Sequence, residues 1–182
     1  MASFFTIPKA LLLLHLLLLF LSSPFIKHIA ADSQLIQKEC NKSDTPETCL
    51  NCVNSDPGSQ KADSLGIAAI VLNCISNHAE TMDAGIRSLR SKTEDRQLRR
   101  FCLQCEEGYK TVKGDIASAK QDLKTHNFDM ASIAVSLSAA LNTACLIRIA
   151  AYKGEVPSEI MNEFKVFEEL SKAADKIIEG LK

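Results

Sequence analysis

The chain has 182 residues with a formal net charge of −1, and 24% of its residues are charged. That length predicts one domain or two, and the composition excludes a long disordered protein. The basic excess needed to hold a phosphate backbone is absent, so we expect no nucleic-acid partner.

Residues 1–31 have the pattern of a secretory signal peptide. Leu11–Leu21 is an apolar run broken only by His15, and Ala30-Ala31 offers small residues for cleavage. A membrane anchor is the alternative, but the run is too short to span about 30 Å of hydrocarbon. We therefore expect cleavage after Ala31 and secretion of residues 32–182, with no later segment that spans a membrane. Loss of the two leader lysines lowers the net charge to −3, which favours a protein partner over direct binding to a polyanion.

Four apolar stripes predict four long helices. The apolar residues recur every three or four positions, except in the third segment, where the apolar face is wider. The four stripes cover residues 65–89, 98–123, 128–152 and 156–181. Thr93 is a candidate N-cap for the second helix, Gly154 a candidate stop for the third, and Pro157 a candidate start for the fourth. No stretch has the period-two pattern of a strand. The sequence thus predicts an all-α, up-down-up-down four-helix bundle over residues 61–182.

Residues 32–60 lie ahead of that pattern. Ser33–Cys40 predicts one short helix, and Pro46 at a first helical position predicts a second that continues to Val53. A segment this short cannot bury a core of its own. We expect a small helical hairpin joined to the bundle.

The seven cysteines suit disulfides in a secreted chain, although the odd number leaves at least one outside an intramolecular bridge. In an antiparallel helical hairpin, residues equally distant from the turn face each other. The midpoint of Cys40 and Cys49 falls in the turn at residues 43–46, and that of Cys105 and Cys145 falls at Thr125. These two pairs are therefore expected to form bridges.

Cys52, Cys74 and Cys102 remain open. One interpretation makes Cys74 and Cys102 small buried apolar residues. The other adds a third bridge, such as Cys52–Cys74. A thiol count on the denatured, unreduced protein separates the two, since two bridges leave three thiols and three bridges leave one.

Four motifs in order resemble those of the plant family of pectin methylesterase inhibitors and invertase inhibitors. The first is the pair Cys40 and Cys49, separated by eight residues, and the second is Ser55–Ser59 followed by a long helix. The third is Cys105–Tyr109, and the fourth is Ser138–Leu141 leading to Cys145. The resemblance covers residues 35–181. It implies a secreted inhibitor with the same two bridges that the turn geometry predicts.

The resemblance also implies a partner-contact loop. Invertase inhibitors of the family carry Pro-Lys-Phe before the third bundle helix, and the matching residues here are His126, Asn127 and Phe128. Only Phe128 matches, and the lysine that would face catalytic carboxylates is replaced by asparagine. The resemblance therefore favours pectin methylesterase as the target, with acid invertase as the alternative.

Catalytic chemistry finds little support in the sequence. No Gly-rich phosphate loop, HExxH or GxSxG motif occurs, and we expect no cofactor, no metal site and no enzyme activity. His78 and His126 are interpreted as solvent-facing polar residues. Asn41-Lys42-Ser43 is an N-glycosylation sequon.

The expected function is therefore that of a secreted inhibitor of a carbohydrate-active enzyme, located in the cell wall or apoplast, with the vacuole as an alternative. An interaction protein without an inhibitory target, and a carrier of a small ligand in the bundle core, are the alternatives from other classes.

Overall fold

The computed structural model describes residues 33–182. The signal peptide predicted over residues 1–31 lies outside the described part. Within it, six α-helices follow one another, and the first two form a hairpin. Helix α1 covers residues 33–40 and helix α2 covers Pro46–Ser55, with a bridge between Cys40 and Cys49 across their turn. A short 3-10 turn over Ser59–Lys61 leads into the bundle.

The four bundle helices have nearly the predicted ranges. Helix α3 spans Ser64–Lys92, α4 Arg96–Lys124, α5 Phe128–Ala150 and α6 Ser158–Glu179. Helix α3 packs against α4 and α6, and α5 packs against the same two helices. This arrangement confirms the up-down-up-down bundle, with the disulfide-linked hairpin ahead of it.

The predicted helix ends need three corrections. Thr93 is not the N-cap of α4: Asp95 is, because its carboxylate accepts the backbone N–H of Leu98 at 2.9 Å, while Thr93 ends α3. Pro157 precedes α6 as its N-cap instead of starting it. Helix α5 ends at Ala150, before Gly154, and no positive φ occurs at a described glycine.

The core holds one buried polar chain that fixes the order of three helices. The Tyr109 hydroxyl of α4 donates to Asn142 Oδ1 of α5 at 2.6 Å, and Asn142 Nδ2 donates to the Phe164 carbonyl of α6 at 3.1 Å. All three residues are at most 1% exposed. Because each polar atom of the chain finds a partner, the network specifies this packing without an unsatisfied buried group.

The sequence led us to expect no segment after the leader that could span a membrane. That expectation is wrong, because one helix is long enough and apolar enough to do so. That helix is α5, with a mean hydropathy of 1.7 over its most apolar stretch. A third of that stretch is buried in the bundle, and a bridge between Cys145 and Cys105 joins the helix to α4. Helix α5 is thus one of the four helices around the core, and its composition reflects two apolar faces.

Candidate partner-binding surface

The outward face of α5 carries most of the large apolar side chains that the structure leaves exposed. Met130, Ile133, Leu137 and Ile147 are between 48% and 64% exposed, and we call these four residues the α5 stripe. Their spacing places them along one side of the helix. No charged residue occurs from Met130 to Ile147. An uncharged apolar strip of this kind is typical of a surface that a partner covers.

The opposite face of α5 is held firmly by the bundle. Cys145 is bridged to Cys105, Asn142 belongs to the buried polar chain, and the Ser132 hydroxyl donates to the Asp175 carboxylate of α6. A partner that binds the α5 stripe therefore meets a backbone that needs little ordering. Preorganisation of this kind lowers the entropic cost of association.

The loop predicted to contact a partner lies at the start of α5. His126 and Asn127 are exposed, and Phe128 is partly buried. His126 adopts φ 60°, in the left-handed region, and its ring lies edge-on to that of Phe128 with centroids 5.7 Å apart. The loop is therefore a fixed turn that continues into the α5 stripe at Met130.

The structure assigns all seven cysteines. Besides the two bridges expected from turn geometry, it joins Cys52 of α2 to Cys74 of α3, with Cα atoms 6.2 Å apart. Cys74 is thus not a buried thiol, and the hairpin is tied to the bundle. Cys102 is the free cysteine, and it is fully buried. Burial raises the pKa of its thiol to about 11, with a smaller contribution from the Glu106 carboxylate, so the group is a poor nucleophile.

The two histidines in the described part of the chain differ from each other. His126 is exposed as expected, whereas the side chain of His78 is only 30% exposed and its Nδ1 lies 2.6 Å from Glu163 Oε2. His78 is therefore only partly solvent-facing, in contrast to the interpretation from the sequence. His78 lines a groove of about 440 Å³ between α2, α3 and α6, with the Cys52–Cys74 bridge in its wall.

The described residues contain no group of three His, Cys, Asp or Glu side chains that could hold a metal ion. Asn41, the sequon residue, is exposed in the turn after α1.

The family model described as plant invertase/pectin methylesterase inhibitor matches residues 34–175. The chain belongs to this family. The family is one of inhibitors and not of catalysts, which agrees with a surface that has an apolar stripe and buried or bridged cysteines. Family members inhibit pectin methylesterase or invertase.

Curated relatives of the family fall on both sides of that division. A pectinesterase inhibitor from Actinidia deliciosa is 28% identical over 64% of this chain, and the match spans 62% of the relative's length. A cell wall / vacuolar inhibitor of fructosidase from Arabidopsis thaliana is 27% identical over 68% of this chain and 69% of its own. Pectinesterase inhibitor 28 from Oryza sativa subsp. japonica is 22% identical over 86% of this chain and 73% of its own.

Solved structures of the family share the fold. A pectin methylesterase inhibitor from Arabidopsis thaliana superposes with a TM-score of 0.64 at 20% identity, over 83% of this chain and 98% of its own. A mutant form of such an inhibitor from Arabidopsis gives 0.68 at 20% identity, over 77% of this chain and 92% of its own. At this identity the likeness establishes the fold alone.

The sequence interpretation did not single out the α5 stripe. Its signal was nevertheless present, because residues 130–147 contain no charge, and a helix with one face in a bundle core has little other reason to be apolar on its outer face.

Proposed function

We propose that this protein is a secreted inhibitor of pectin methylesterase. It docks non-covalently beside the active-site cleft and excludes the polymer. The observation that carries this proposal is the α5 stripe, an uncharged and exposed strip on a rigid bundle, in a chain that belongs to a family of enzyme inhibitors.

The α5 stripe can supply a useful part of the binding free energy. Complete burial of one large aliphatic side chain contributes about 1.5–3 kcal/mol, so the exposed half of each contributes about 1 kcal/mol. Four such side chains form the apolar centre that stable protein interfaces contain. The polar turn at His126 and Asn127 would lie at the rim of that interface.

Two observations favour pectin methylesterase as the target. Two of the three curated relatives are named pectinesterase inhibitors. The turn before α5 has Asn127 where invertase inhibitors carry lysine, so it lacks a cation to face catalytic carboxylates. A carboxylate-rich sugar pocket gains less from an asparagine than from a lysine.

Acid invertase is the second candidate. The relative named as a fructosidase inhibitor and the presence of Phe128 support it. In that case Phe128 and its neighbours would occupy the sugar pocket. A Phe128→Ala variant with unchanged invertase inhibition would count against this candidate.

The test compares both enzymes under the same conditions. The disulfide-intact secreted protein is titrated against a plant pectin methylesterase, measured by acid release from methyl-esterified pectin, and against an acid invertase, measured by sucrose cleavage. We expect inhibition of the esterase and not of the invertase. Inhibition of invertase alone would transfer the proposal to the second candidate, and inhibition of neither across several plant enzymes would favour a non-inhibitory interaction protein.

The proposed location is the apoplast or cell wall. Three disulfides fit a chain that folds in an oxidising compartment. The vacuole is the alternative, because one relative is named for both places. Glycosylation at Asn41 is a further expectation, and a shift in gel mobility after glycosidase treatment of the plant-expressed protein tests it.

A further inference from the structure

All six arginines of the chain lie at one end of the bundle. Five occur in the fourteen residues from Arg87 to Arg100, which form the end of α3, the turn and the start of α4. The sixth, Arg148, is in the last turn of α5, which points to the same end. Lysines, in contrast, are spread along the whole chain.

The charge of this end differs in sign from that of the rest. Residues 87–100 contain six cations and two carboxylates, a net charge of +4, whereas the whole chain has −1. The remaining residues therefore have a net charge of −5. The small net charge of the whole chain therefore conceals a separation between a basic end and an acidic remainder.

Two of the arginines are occupied by the bundle itself. Arg87 pairs with the buried Asp83 carboxylate at 2.9 Å, and Arg90 pairs with Glu106 of α4. The Arg87 pair lies within α3 and the Arg90 pair joins α3 to α4, so both guanidinium groups already have a carboxylate partner.

The other four arginines face solvent, and we call Arg96, Arg99, Arg100 and Arg148 the arginine rim. Arg99 donates one N–H to the Thr93 carbonyl. Among the described residues, the other three have no ion pair or side-chain hydrogen bond.

The register of α4 and α5 places the members of the arginine rim at similar heights. Cys105 and Cys145 are bridged, so the two helices are level at that point. At 1.5 Å per residue, Arg148 lies about 4.5 Å beyond the bridge and Arg100 about 7.5 Å beyond it on the antiparallel neighbour. Arg96 follows one turn further on.

The chemistry of the arginine rim is suited to carboxylates. A guanidinium group is planar, weakly hydrated and able to pair with a carboxylate through two parallel hydrogen bonds, which an ammonium group cannot do. Leu103 is the one large hydrophobic on α3 or α4 that the described structure leaves exposed. Ile147 of the α5 stripe, next to Arg148, is also exposed, but two apolar side chains beside the rim do not form the apolar centre of a protein interface. A flexible polymer that carries many carboxylates fits it better than a folded acidic protein.

We propose that the arginine rim binds an anionic polysaccharide of the polyuronate class. The choice of a polyuronate rests on the proposed function, because removal of methyl esters from pectin leaves a polymer of free carboxylates. The binding of a carboxylate polymer does not require that any enzyme be inhibited. The rim would hold the inhibitor on the de-esterified product, next to the place where the esterase works.

The test measures retention of the disulfide-intact protein on immobilised polygalacturonate over a series of salt concentrations. We expect retention that falls with salt, as for other charge-driven polymer binding. The double variant Arg96→Ala/Arg100→Ala should bind about tenfold more weakly, whereas Lys61→Ala/Lys124→Ala, which removes two exposed cations away from the rim, should bind like the wild type. Arg96→Lys/Arg100→Lys keeps the charge and should bind with intermediate strength.

Three outcomes would overturn the proposal. The first is that Arg96→Ala/Arg100→Ala binds polygalacturonate as strongly as Lys61→Ala/Lys124→Ala. The second is that the wild type binds dextran sulfate as strongly as polygalacturonate. The third is that Arg96→Ala/Arg100→Ala loses enzyme inhibition but keeps polygalacturonate binding. In the last case the rim is part of the enzyme interface. A protein that is retained on polygalacturonate but inhibits no enzyme would support this proposal and overturn the proposed function.

Discussion

The bridge between Cys52 and Cys74 is the link that ties the small hairpin to the bundle, and its removal has a calculable cost. The double variant Cys52→Ser/Cys74→Ser keeps the other two bridges. The bridge closes a loop with a sequence separation of 22, for which chain entropy gives about 3.4 kcal/mol of stabilisation. For a protein of this size, that corresponds to a fall in Tm of about 7–14 °C.

Urea unfolding followed by circular dichroism measures this free energy, and Cys102→Ala serves as the control that removes a cysteine outside any bridge. We expect the control to lose about 1 kcal/mol, because a buried sulfur leaves only a small cavity. The wild type, denatured without reductant, should show one thiol. Three thiols in that assay, or a loss below about 1 kcal/mol in the double variant, would refute the reasoning.

Three further predictions concern buried polar groups. Tyr109→Phe should cost about 1–3 kcal/mol in urea unfolding, since it leaves the amide oxygen of its α5 partner buried without a donor, and an unchanged midpoint would contradict the polar chain. The Asp83 carboxylate is almost fully buried between Arg87 and Lys113, and its hydrogen bond raises the pKa of the lysine. Replacement of both cations by Met should lower the free energy of unfolding by about 3–5 kcal/mol, because it leaves the buried Asp83 carboxylate unpaired. Asp83→Asn should lower it by less, because it leaves no buried charge without a partner. Because burial raises the pKa of Cys102 from 9.0 to about 11, the folded state should lose stability relative to Cys102→Ala as the pH rises from 9 to 11. Parallel curves for the two proteins over that range would show that the thiol is not buried.

The bundle was predictable because an apolar stripe reports which face of a helix is buried. The stripe over residues 65–89 lies within α3, and the turns between helices fall where the periodicity breaks. The helix ends were less predictable, since several residues near each break can serve as a cap. Asp95 and Thr93 are both good N-caps, and only the path of the chain decides that Asp95 receives the backbone N–H of Leu98.

The cysteines show the same limit. Partners that share one hairpin turn, such as Cys105 and Cys145, can be paired by distance from the turn. Cys52 and Cys74 lie on helices that meet after an intervening 3-10 turn, so their pairing depends on a packing angle that residue spacing does not contain. The arginine rim has a similar limit. Arg148 is far from the other arginines in the sequence, and only the topology of the bundle places it at the same end.

The central claim is that the α5 stripe is the surface that contacts the enzyme, and a pair of matched variants tests it most directly. Leu137 on α5 is 54% exposed and Leu103 on α4 is 46% exposed, so a Gln at either position should leave the fold intact. The measurement is the inhibition constant of each variant against pectin methylesterase. We expect Leu137→Gln to inhibit about 10- to 30-fold more weakly, because it loses apolar burial and buries an amide, and Leu103→Gln to match the wild type. Equal inhibition constants for the two variants would contradict the claim.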